Sequence, residues 1–60
     1  MADTLIATRD ADQLFVTGKH TNDDGVTIFH GYVLNGDGGR TEVANVDVLI
    51  QHGYWQEIVY

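Results

Sequence analysis

The sequence predicts a mostly β, α+β fold: a small antiparallel sheet or barrel of four to five strands, with one short C-terminal helix before the last strand. Three observations lead there. Short runs of β-branched and aromatic residues are separated by turns rich in Asp, Asn and Gly. The longest run, Val26 to Leu34 (VTIFHGYVL), carries apolar residues at both parities of a period-two pattern. A recognisable helix start and stop occurs only near the end, between Asn45 and Gly53. At 60 residues the chain is expected to form one compact domain, 1–60.

Leu5 to Thr8 is expected as a first strand, with Leu5 and Ala7 on one face. Asp10-Ala11-Asp12 reads as a turn, because Asp bonds its own backbone two residues onward. Leu14 to Thr17 (LFVT) makes the second strand, and Gly18 permits a bulge beside it. Thr21-Asn22-Asp23-Asp24-Gly25 is the clearest turn, since Asp-Gly tolerates the positive φ that tight hairpins demand. In the following strand Val26, Ile28, His30, Tyr32 and Leu34 alternate with Thr27, Phe29, Gly31 and Val33. Apolar residues on both faces place it at the centre of the sheet, covered on both sides. Gly31 in its middle marks a bend or the close approach of another backbone. Asn35-Gly36-Asp37-Gly38-Gly39 turns the chain into a short strand from Arg40 to Ala44.

The next segment has two readings. Ala44, Val46, Val48 and Ile50 alternate as a strand would, whereas Val46, Leu49 and Ile50 have helical spacing. Asn45 or Asp47 as cap, His52 in the last turn and Gly53 as stop favour the helix. Tyr54 to Tyr60 is then the last strand, with Trp55 and Val59 on one face and Tyr54, Ile58 and Tyr60 on the other.

Composition narrows the function. A chain this short buries only about 60% of its extended surface, so a partner, a metal or an efficiently packed core must support it. With no Cys, disulfides and thiol catalysis are excluded. Nine acids, seven of them Asp, face three bases for a net charge of −6. Asp in excess with a single lysine, Lys19, matches proteins of high-salt cytoplasms, where screening makes a dense acidic surface tolerable; an ordinary acidic domain is the other reading. Three bases do not make a phosphate-binding face, so neither nucleic acid nor an anionic membrane is an expected partner. The acidic start lacks the pattern of a secretion signal, and no apolar run reaches membrane-spanning length, which points to the cytoplasm or a virion.

Motifs for catalysis and cofactors are missing. His20, His30 and His52 contain no short zinc-ligand pair, although strand pairing would bring His20 and His30 together across the hairpin. Asn35 to Gly39 begins like a calcium loop, but position twelve counted from Asn35 is Val46, where a bidentate Glu is needed. No G-x-G-x-x-G or glycine-lysine phosphate loop occurs, and no Ser or Cys offers a nucleophile. No enzyme activity, cofactor or metal is therefore expected.

The aromatic end is the best binding candidate: Tyr54, Trp55, Ile58 and Tyr60 are the expected partner-binding residues. Tyr and Trp bury area while keeping a polar handle, and a terminal strand offers an unpaired edge. Trp55 and Tyr54 also have the alternative of simply closing a small core. Arg40-Thr-Glu-Val followed by Asp47-Val-Leu-Ile-Gln-His-Gly-Tyr-Trp-Gln-Glu-Ile resembles the carboxy-terminal ends of small structural accessory proteins of tailed viruses, phage or haloarchaeal. The resemblance covers about a third of the chain. It implies a non-enzymatic assembly module, a capsid decoration or connector protein, acting by self-association or on a larger viral assembly. The alternative is an acidic inhibitory or regulatory binder that mimics nucleic acid or blocks a host protein.

Overall fold

The computed structural model describes residues 3–60. Five strands, β1 (Thr4–Arg9), β2 (Asp12–Thr21), β3 (Thr27–Leu34), β4 (Arg40–Val43) and β5 (Gln56–Glu57), form one antiparallel sheet in the order β4-β3-β2-β1-β5. One helix, α1 (Val46–His52), leaves β4 at one edge and crosses a face of the sheet to reach β5 at the other. The mostly β architecture with a helix before the last strand is thus as expected, and the sheet is open. The central strand, however, is β2. The apolar pattern of β3 suited a centre position, but β4 and β5 lie at opposite edges, which shifts β3 one place outward.

Three turns set the register of the meander. Asp10, at φ 54, turns β1 into β2 with Arg9 opposite Asp12. Asn22 organises the second turn: its side-chain oxygen accepts from the backbone N–H groups of Asp24 and Val26, both at 3.0 Å. Gly25 takes φ 78 there, a conformation that favours glycine. In the third turn Gly38 takes φ 92 and donates its N–H to the Asn35 carbonyl at 2.9 Å, while the side-chain acceptor is Asp37, which takes the Gly39 N–H at 2.9 Å.

β2 is longer than its apolar run, because pairing with β3 carries Gly18-Lys19-His20 into the ladder. A bulge between Val16 and Gly18 shifts the register, so Val16 faces Gly31 and Gly18 faces His30. Gly31 is the close approach that its position foretold: a Cβ there would fall onto the Phe15 carbonyl. Only the Asp12–Val16 end of β2 pairs with β1, and only Gly31–Leu34 of β3 pairs with β4. The far half of the β2–β3 hairpin therefore runs past its neighbours as a two-stranded arm, and the molecule measures 37 × 24 × 23 Å.

The core lies under α1. Ala7, Leu14, Val33, Val46 and Trp55 are buried, with Ile6, Val16, Val43, Leu49 and Ile50 packed around them. Asn45 caps the helix in an extended conformation, its side chain accepting from the N–H groups of Asp47 (3.1 Å) and Val48 (3.4 Å). At the other end Gly53 is required by space, since a Cβ would stand 2.6 Å from the Trp55 Nε1 and 2.8 Å from the Leu49 carbonyl oxygen. The left-handed residue after the helix is Tyr54, at φ 56.

Arg9 ties this corner together. Its Nη1 donates to the Gly53 carbonyl at 2.9 Å, and its guanidinium lies 4.4 Å from the centre of the Trp55 ring. Asp12 stands 3.7 Å away. A cation over an indole face and a hydrogen bond to a helix-terminal carbonyl both hold the guanidinium at this corner.

Candidate functional site

The four residues expected to bind a partner occupy three environments. Trp55, at 8% exposure, is taken into the core and supports the terminal edge from beneath without offering surface to a partner. Tyr54 is 98% exposed where the chain leaves the helix. Ile58 is half-buried and extends the edge by donating its N–H to the Ile6 carbonyl at 2.9 Å. Tyr60 is 87% exposed, and its hydroxyl donates to the Leu5 carbonyl. The structure brings Ile58 and Tyr60 to one place and leaves Tyr54 beyond the opposite end of β5. Because Tyr54 adopts positive φ, the last strand starts two residues later than expected and is short. Val59, expected on the Trp55 face, is 94% exposed.

Ile58 and Tyr60 form one wall of an apolar groove of about 450 Å³ between α1 and the sheet. Val46 and Ile50 of α1 line it with Ile6, Val16 and Phe29 of the sheet. Phe29 sits on the arm opposite Lys19 and was not singled out by sequence. Its signal was its parity with Gly31 and Val33, which puts it on the helix-bearing face, where it lines the groove with Val46 and Ile50.

The other face of the sheet carries a second unanticipated feature. Leu5, Phe15, Tyr32 and Glu42 lie in register across β1, β2, β3 and β4. The Phe15 and Tyr32 rings stack at 5.0 Å between centroids and 18° between planes. Arg40 covers Tyr32 at 3.9 Å from the ring centre and donates from Nε to Glu42 at 2.7 Å. The Tyr32 hydroxyl donates to the Asp3 carboxylate at 2.8 Å. That bond, and then partial desolvation and the Asp3 charge, hold the Tyr32 phenol above its ordinary value of 10.0. The bond to Glu42 raises the Arg40 guanidinium in the same way. Leu5, Phe15 and Tyr32 remain only half-buried, and no described element packs over them. The sequence pattern suggested a strand covered on both sides; the single helix covers one.

The row ends at β1 beside the terminal edge, where Tyr60 reaches the Leu5 backbone. Face and edge are therefore adjoining surfaces. The acids, by contrast, are divided. Asp10, Asp12 and Asp37 lie at the end where the Gly36 N–H bonds Asp12 (3.0 Å), whereas Asp23 and Asp24 lie at the tip of the arm.

Among the described residues no group of three or more His, Cys, Asp or Glu side chains converges as metal ligands would. Nor is any described helix long and apolar enough to cross a membrane. Comparison with protein families, curated proteins and solved structures finds no match to this chain.

Proposed function

We propose that the chain is a non-enzymatic assembly module that works by protein–protein contact, first of all with copies of itself. The observation that carries this reading is the sheet face over which no described element packs, where Leu5, Phe15 and Tyr32 form an apolar row that ends at the strand whose Leu5 carbonyl Tyr60 bonds. A half-buried aromatic row beside an unpaired strand edge is what association buries. The accessible surface points the same way: it is 4403 Å², against about 3900 Å² for a compact monomer of 6.7 kDa. The resemblance of the C-terminal third to tailed-virus accessory proteins supports a place in a larger particle. The acidic-mimic reading ranks second, because the turn aspartates that it invokes are divided between two ends of the molecule.

The test separates assembly from folding. Removing Val59 and Tyr60, or replacing Phe15 by Glu, is expected to reduce the molar mass in solution to that of a monomer while the circular dichroism of the sheet persists. Undiminished association in both variants would refute the assignment of this surface.

A further inference from the structure

We propose that His20 and His30 form a two-imidazole chelate for a divalent transition-metal ion on the projecting β2–β3 arm. The bulge at Val16–Gly18 creates the pair. It sets Gly18 opposite His30 and His20 opposite Ile28, so both imidazoles fall on the same face as Tyr32, diagonal to each other across the ladder. Their ring centroids are 5.8 Å apart and their planes tilted by 32°. An ion sits about 2.0–2.1 Å from each coordinating nitrogen, which places two chelating rings about 5 Å apart between centroids. A small rotation of either side chain closes the difference.

Three further features suit the site to a cation. Gly18 has no side chain to hold the rings apart, and a Cβ there would stand 2.8 Å from the His30 Cε1. Hydrogen bonds beside the pair run from the Thr17 hydroxyl to the His30 carbonyl (3.4 Å) and between the Thr21 and Thr27 hydroxyls (3.3 Å); neither takes a ring nitrogen. The net charge of −6 draws cations toward the whole surface. Neutral imidazole favours Ni²⁺, Cu²⁺ and Zn²⁺ over hard ions such as Mg²⁺ or Ca²⁺. With two protein ligands, water completes the coordination shell. The ion clips β2 to β3 across the arm and stiffens a ribbon that has no neighbouring strand.

The experiment is Ni²⁺ binding by calorimetry near neutral pH, to the intact chain and to the His20→Gln, His30→Gln and His52→Gln variants. Each of the first two is expected to weaken binding at least about tenfold, because the second imidazole acts at high effective concentration. His52→Gln is expected to leave it within about twofold, since that side chain lies on α1 away from the arm. In a Zn²⁺ titration followed by NMR, the His20 and His30 ring signals are expected to shift together at the same metal ratio. Equal weakening by all three variants, or independent shifts of the two rings, would overturn the proposal.

Discussion

Tyr54 illustrates how one residue separates folding from association. Its φ of 56 is strained for a residue with a side chain, and its exposure of 98% shows that the ring packs on nothing in the chain. Tyr54→Gly relieves strain of about 1 kcal/mol and loses a similar or smaller amount to the freedom of the unfolded chain. The unfolding midpoint in denaturant is therefore expected to hold or rise slightly; a loss above about 1 kcal/mol would reveal unrecognised packing. Tyr32 makes a different prediction, in pH. Its phenol is held above 10.0 chiefly by the bond to Asp3, so the neutral form is the one that the fold favours. The associated stability is complete below the ordinary tyrosine value and is lost as pH rises through the elevated folded value. Phenolate absorbance is expected to show a late-titrating tyrosine, and Tyr32→Phe to remove that late step.

Among the elements, the helix was the most legible. Asn45, Asp47, His52 and Gly53 supply cap, acidic first turn, basic last turn and stop within nine residues, and all four act locally. Asn45→Ala is expected to destabilise the fold by about 1 kcal/mol, read as a fall in the thermal midpoint without loss of association. A larger or absent effect would mean that the bonds to Asp47 and Val48 are not the source of the helix start. The strands were legible in kind and order of appearance, because turns centred on Asn22 and Asn35 announce themselves by Asp and Gly. Their extents were less so. Gly18, Lys19 and His20 lack β propensity and are held in β2 by the ladder with β3, a tertiary effect. Likewise the alternation of its neighbours points to strand at Tyr54, and only the packing of Trp55 against Gly53 shows why the chain bends there. The candidate surface was half legible. Tyr60 and Ile58 stood out by position, whereas the Leu5–Phe15–Tyr32 row depends on register across three strands, which alternation alone does not supply.

For the molecule as a whole, a layered core of five buried residues supports a sheet that is covered on one face. The proposed self-association through the other face would add the missing layer, and a net charge of −6 on each copy would oppose it. Screening decides between these terms. At molar salt the Debye length falls to about 3 Å, so repulsion between copies fades while burial of apolar surface persists. The decisive measurement is molar mass by light scattering after size exclusion, at low salt and in molar potassium chloride. A defined oligomer, favoured by salt and lost when Val59 and Tyr60 are removed, is the predicted result. A folded monomer at both salt concentrations would contradict the assembly account and would shift the uncovered face to a foreign partner.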